Sequence, residues 1–327
     1  MKVRYLLFFL AIFLMGNSVQ GQEDPVAHWG FDNIRVEKRK AELERGETYV
    51  PKEIFAYVKE SVLDKEFDLN GVYYEEVTGV EGNAVLFDGY TTHIELTEEK
   101  DIPEIDGEFT VETWLALGAY PKHHCPILDN RRPKEDGYYN GFSLEIDALG
   151  RVFLKIATKG KYEIATSSKS LPLDKWVHVA GTYSKENGLS VYVNGELWAN
   201  KSVEYDFTPA SRDWHITSMI IGKSRTKTRP YGTIRPEGTE KSFTHIDGIF
   251  DELKLYKSAL SQNRIENTYK KQKPNDAPEL PERILPSGPQ SPGKFRAVNA
   301  TLKYYKAWDE PWLIGENADV VVQFALF

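Results

Sequence analysis

The chain has 327 residues, 28% of them charged, and a formal net charge of −8. That acidity argues against a general nucleic-acid binder, which needs a basic footprint. Its single cysteine, Cys125, rules out an intrachain disulfide, so the fold has to stand on its hydrophobic core. Aromatic residues make up 13%, which favours strands over a helical bundle because flat, stiff side chains suit a pleated, half-buried surface.

Lys2 and Arg4 precede an eleven-residue apolar run, Tyr5–Met15, and the small residues of "GNSVQG" follow. The pattern reads as a signal peptide over residues 1–21, cleaved after Gly21. The apolar run is too short to span a bilayer, which takes roughly 20 residues, and no later segment is apolar enough to try. The expectation is a secreted chain, periplasmic or extracellular, with no membrane span.

"PVAHWGFDN" reads as a short first strand. Residues 34–66 form a charged insertion, expected as a loop lying on the main domain. Within it "PKEIFAYVKESVL" has the pattern of a short amphipathic helix with Pro51 in its first turn. From residue 70 the text becomes strand, turn, strand, with turn signals about every 8–15 residues, as in an all-β sandwich. "KWVHVAGTYSKENGLSVYVNGELW" writes two strands, with Val177, Val179 and Tyr183 alternating against Trp176, His178 and Thr182. Asn194-Gly195 then supplies the positive φ for a tight hairpin into a third. "SALSQNRIENTYKKQ" predicts one short helix with Ser261 as its N-cap. Residues 274–294 carry six prolines and read as a semi-extended linker. Residues 295–327 return to strand-like text, the possible start of a second domain.

In order along the chain, "HWGFDN", "NAVLFDGYTTHIEL", "GEFTVETWLAL", "KWVHVAGTYS", "LSVYVNGEL", "IIGKS" and "GIFDELKLYKSALS" resemble the laminin-G-like domain of the concanavalin A-like jelly-roll superfamily. The resemblance covers residues 25–270 and implies an all-β, two-sheet antiparallel jelly roll. It also implies the company of secreted carbohydrate-active systems and a structural calcium ion. "KFRAVNATLKYYKAWDEPW" is similar to the join between such a module and large secreted polysaccharide lyases of the ulvan type.

Calcium takes six to eight oxygen ligands, and acids at strand-end turns supply them well. By the resemblance, Asp32 and Asp251 lie on neighbouring first and last strands, and Asp88 is a third candidate ligand. Catalytic motifs are missing from residues 22–270. "LEIDALG" places Glu145 and Asp147 like the first two acids of a jelly-roll glycosidase, but Ala148, Leu149 and Gly150 follow where a third acid is required. Both acids are therefore expected to face solvent ahead of a turn. Lyase chemistry needs a Tyr or His base beside a uronate neutraliser, and His215, Tyr138 and Tyr139 form no such pattern. In "KHHCP", adjacent side chains point to opposite sides, so His123, His124 and Cys125 are not expected to share a metal.

Two basic loops interleaved with tyrosine remain. Arg131, Arg132, Tyr138 and Tyr139 lie in "NRRPKEDGYYN", and Arg225, Arg229, Tyr231 and Arg235 lie in "KSRTKTRPYGTIRPEGTEK". Arginine pairs well with carboxylate or sulfate, so the expected partner is an anionic polysaccharide, uronic or sulfated. The function this supports is a non-catalytic carbohydrate-binding module. The alternatives are the N-terminal part of a polysaccharide lyase or glycoside hydrolase, and an adhesion module that binds protein.

Overall fold

The computed structural model describes residues 24–38, 54–71, 75–131, 139–210, 218–227 and 243–275. The segment expected as a signal peptide, most of the stretch expected as a linker and the tail to 327 lie outside them. Among the described residues Lys223–Lys227 pairs with Phe243–His245 in a small two-stranded sheet, beside two large antiparallel sheets that form a sandwich. One runs in the order Glu196–Lys201, Gly188–Val193, Val177–Ser184, Phe109–Ala119, Asp247–Tyr256, Asn83–Asp88, Glu75–Thr78, with Ala27–Trp29 paired to Asp247–Tyr256. The other runs Lys161–Ser170, Arg151–Thr158, Phe142–Ile146, Cys125–Asp129, Met219–Ile221, His93–Leu96, Lys65–Asn70, Ile54–Glu60, Ile34–Lys38.

The inner faces of the two sheets meet in one core. Phe109 from the first sheet stacks on Phe142 from the second, with ring centroids 4.1 Å apart, and Tyr183 and Phe207 close around them. Val177, Val179, Leu189, Val191 and Val193 are all buried there, as their period of two predicts. Asn194 and Gly195 adopt φ of 52° and 80°, the left-handed pair of a type I′ turn, and Val193 pairs with Glu196 across it. Cys125 also faces the core, with its Sγ 3.3 Å from the Thr244 carbonyl.

The charged insertion corrects the sequence reading. Ile34–Lys38, Ile54–Glu60 and Lys65–Asn70 are strands that widen the second sheet, and the segment expected as a helix is the strand Ile54–Glu60 and the turn after it. Ala56 and Val58 are buried with Phe67 and Leu69 of the next strand, so pairing and core burial override a weak helical stripe. Buried Glu60 holds the turn, accepting the backbone N–H groups of His28, Val62 and Leu63 at 2.6, 2.9 and 2.6 Å.

The helix Gln262–Gln272 forms where expected and packs on the outside of the first sheet. Ser261 Oγ accepts from Arg264 N at 3.3 Å. Trp114, buried beneath the helix, stacks on Tyr269 and donates its indole N–H to Gln272 Oε1 at 3.1 Å. Ser261→Ala should cost about 1 kcal/mol through the lost cap; a urea midpoint equal to that of the parent would show that the helix is held by Trp114 and its neighbours instead.

Candidate functional site

Alternation decides which side chains leave the core. In Phe142–Ile146 the residues Phe142, Leu144 and Ile146 point inward, so Ser143 and Glu145 point out of the sandwich. The register sets Ser143 between Asp129 on one neighbouring strand and Lys155 on the other. Tyr162, opposite Ala157, continues the same outer face. Residues from four strands are thereby brought onto one patch.

The patch is an ion-pair network. Arg131 Nε donates to Asp129 Oδ1 at 3.0 Å and its Nη2 to Oδ2 at 2.7 Å, and Nη2 also lies 3.2 Å from Glu145 Oε1. Lys155 Nζ donates to Glu145 Oε1 at 3.0 Å, and Ser143 Oγ donates to the same oxygen at 2.6 Å. Asp129 and Glu145 are both fully buried. Among the described residues Glu145 Oε2 has no hydrogen-bond partner, and His124 Nε2 stands 3.9 Å from it. Burial pushes the Asp129 carboxyl up, but the adjacent Arg131 and Arg225 outweigh it and hold it below the usual carboxylate range. Burial holds the His124 imidazole below its ordinary value, despite Glu145. Tyr139 and Tyr162 meet edge to face, centroids 4.7 Å apart, with the Arg131 guanidinium and the Lys155 ammonium each 5.7 Å from the Tyr162 ring centre.

Of the candidate ligand-binding residues, the structure brings Arg131 and Tyr139 together at this patch. Arg225 is corrected. Its Nε lies 3.2 Å from Asp129 Oδ2, its Nη2 donates to the Asp129 carbonyl at 3.0 Å, and its Nη1 donates to Ser218 Oγ at 2.8 Å. It braces the patch from within and is not presented on a loop. Arg132, Tyr138, His215, Arg229, Tyr231 and Arg235 lie outside the described residues. Glu145 is a second correction: it was expected to face solvent, but strand pairing on both sides and the two cations bury it. Asp147 does cap its turn, accepting from Leu149 N and Arg151 N at 2.9 Å each.

Asp129, Glu145, Lys155 and Tyr162 were missed as a group. Alternation in "FSLEI" and "RVFLKIAT" marks Ser143, Glu145, Phe153 and Lys155 as outward residues, but only cross-strand register says which of them meet. The bulge between Leu144 and Glu145 shifts that register further.

A second place gathers oxygen atoms. Asp251 Oδ2 accepts from Val80 N at 2.6 Å and Glu81 N at 3.1 Å, while its Oδ1 is buried without a hydrogen-bond partner among the described residues. Asp32 Oδ1 accepts from Asn83 N at 2.8 Å, so both acids grip the turn at residues 79–83. Glycine is needed there for room. A Cβ on Gly79 would lie 2.6 Å from Asp251 Oδ2, and one on Gly82 would lie 1.9 Å from Asp32 Oδ1. Burial pushes the Asp251 carboxyl up to about 7, against the pull of its backbone N–H donors. The neighbouring Glu252 is held down at about 2: burial opposes ionisation, but His28 and Lys254 prevail.

An orphaned carboxylate oxygen and a second carboxylate held on the same turn are hard oxygen donors of the kind calcium takes. Among the described residues no three His, Cys, Asp or Glu side chains are arranged to hold a metal, so backbone carbonyls would complete the shell around Asp251 and Asp32. Asp88 does not belong with them. It lies five residues along its strand from Asn83, about 16 Å away. Its oxygens are taken by the N–H groups of Tyr90, Thr91 and Thr92 and by the Thr91 hydroxyl.

The strand order, the core between the sheets and the short helix define a two-sheet jelly-roll sandwich. Residues 88–266, more than half of the chain, match the family model of the concanavalin A-like lectin/glucanases superfamily, Laminin_G_3, and the chain belongs to that superfamily. No curated protein shows significant similarity to the sequence. Among solved structures, the binding domain of Paraclostridial Mosquitocidal Protein 1 is similar at 14% identity and a TM-score of 0.46, over 65% of this chain and 49% of that one. A Trypanosoma rangeli sialidase is similar at 15% identity and a TM-score of 0.45, over 76% and 32%. Domain 4 of AbnA, a GH43 extracellular arabinanase from Geobacillus stearothermophilus solved with arabinotriose, aligns over 76% and 98%, at 14% identity and a TM-score of 0.45. This chain thus spans about half of the first of these and about a third of the second. At this distance none of the three bears on its function.

Proposed function

We propose that this chain is a secreted, non-catalytic carbohydrate-binding module for an anionic polysaccharide, serving a polysaccharide-degrading system. The observation that carries the reading is the outer-face patch, where the Tyr139–Tyr162 pair stands beside the cationic groups of Arg131 and Lys155. Aromatic rings offer sugar a flat apolar surface, and the cations offer an acidic sugar its counter-charge. Arg131 Nη1 makes no hydrogen bond among the described residues, and Lys155 Nζ gives only one hydrogen bond among them, so donors remain for a ligand.

Physical reasons count against catalysis at the patch. A retaining glycosidase sets two carboxyls about 5 Å apart around the glycosidic bond. Here the Arg131 guanidinium occupies the space between Asp129 and Glu145. A lyase needs a base ready to take a proton, and burial pushes the Tyr162 phenol further from ionisation. Calcium bound by Asp32 and Asp251 would be structural, tying the turn at residues 79–83 to the strand Asp247–Tyr256.

The test is affinity electrophoresis of the full-length chain in gels cast with neutral, uronic or sulfated polysaccharide, followed by sizing of the recovered polymer. Retardation by acidic polymers that weakens with salt, with the polymer left intact, is expected. Tyr162→Ala should weaken retention at least about tenfold, as truncating an aromatic anchor does. Shortened polymer would establish an enzyme instead.

A further inference from the structure

The patch joins cations to an acceptor that nothing satisfies. Arg131 and Lys155 converge on Glu145 Oε1, at 3.2 and 3.0 Å, while Oε2 of the same carboxylate is buried with no hydrogen-bond partner among the described residues. A carboxylate oxygen buried in that state is costly and calls for a donor. Neither the resemblance to a family nor the basic loops single out this oxygen. The His124 side chain is 46% exposed and its Nε2 stands 3.9 Å from Oε2; a ligand would have to turn the imidazole aside to reach that oxygen.

Resting on the glycan-binding reading, we infer that Glu145 Oε2 reads a free hydroxyl on the sugar while Arg131 and Lys155 hold a charged group on the same ring. The ligand is then an acidic sugar with an unsubstituted hydroxyl beside its charge. Both halves of the patch are needed for this. Cations alone would accept any polyanion, and the strongest would be the most heavily sulfated. A bare carboxylate oxygen beside them repels a second anion and rewards only a donor, which a fully substituted ring cannot supply. Glu145 is thus a specificity residue that turns a generally cationic patch against dense sulfation.

Uronates and lightly sulfated sugars share this chemistry, and the arms of the test separate them from each other and from charge alone. Dissociation constants of the full-length chain would be measured for polygalacturonate, its O-acetylated form of equal charge density, its methyl ester, a lightly sulfated dextran and fully sulfated dextran. Acetylation, which removes the hydroxyl donors but keeps the carboxylates, should weaken binding at least about tenfold, the loss of one hydrogen bond to a charged group. Methyl esterification should weaken it similarly. Lightly sulfated dextran binding more tightly than polygalacturonate, with full sulfation weakening it, would support the same reading with a sulfate as the charged group. Glu145→Gln should bring the ratio between parent and acetylated polymer towards one and raise the affinity for fully sulfated dextran. Because the modified polymers are tested on the unaltered chain, a Glu145→Gln protein that fails to fold leaves the test intact. Equal binding of parent and acetylated polymer, or a preference for full sulfation, would overturn the role of Glu145 while leaving a glycan-binding module. If no polymer in the set bound, the glycan-binding reading itself would fall.

Discussion

Asp129→Ala should destabilise the protein by about 3–5 kcal/mol, the usual cost of removing one partner from a buried ion pair. Asp129 is fully buried, and it neutralises both Arg131 and Arg225. Without it two guanidinium groups stay on a largely desolvated face, with Glu145 as the remaining carboxylate within reach of Arg131. The control is Asp147→Ala. That acid pairs with Arg151 at the surface, where an exposed ion pair contributes about 0–1 kcal/mol and the turn's capping bonds add about 1 kcal/mol more. Urea unfolding of the two variants beside the parent decides the matter. A loss at Asp129 no larger than that at Asp147 would mean the network stabilises little.

The same network sets an acid limit. The folded-state pKa of Asp129 lies below its unfolded value of about 3.9. Its contribution is therefore complete above that value and is lost as the pH falls through the folded-state pKa. The parent should lose stability steeply below about pH 4, and Asp129→Ala should lose less over the same range.

Calcium should raise the thermal midpoint. At about 100 times its dissociation constant a ligand of the native state adds about 2.7 kcal/mol. For a domain of this size that corresponds to roughly 5–10 °C. Chelator should reverse the shift. Asp251→Asn keeps an acceptor for the N–H groups of Val80 and Glu81 but gives up the charge, so the calcium shift should disappear. Asp88→Asn should lower stability through its own turn and leave the calcium shift unchanged. A shift that survives Asp251→Asn would move the cation elsewhere in the molecule. The scan is made by calorimetry with and without chelator, at one protein concentration.

The two sites differ in how far sequence reaches. That Asp32 and Asp251 lie near one another was legible because the resemblance made the strands of "WGFDN" and "GIFDELKLY" neighbours, and those strands pair; the cation itself is a proposal. Asp88 looked equivalent in "FDG", but it serves its own turn, which only the hydrogen bonds reveal. At the outer-face patch Arg131 and Tyr139 were noticed for their composition. Their partners Asp129, Glu145, Lys155 and Tyr162 were not, because no local pattern links strands that pair across loops.

By itself the sequence determined whatever depends on neighbours in the chain. The period of two put Val177, Val179, Leu189 and Val191 inside, Asn194-Gly195 made the tight turn, and Ser261 started the helix. The tertiary structure decided whatever depends on partners brought from far away. Phe67 and Leu69 made a strand of Ile54–Glu60, where isolated text favoured a helix. Asp129 drew Arg131 and Arg225 inward, and pairing on both sides buried Glu145. Burial in a low dielectric multiplies charge–charge terms that are weak in water. Which charges become strong is therefore fixed by the fold and not by the residue types alone.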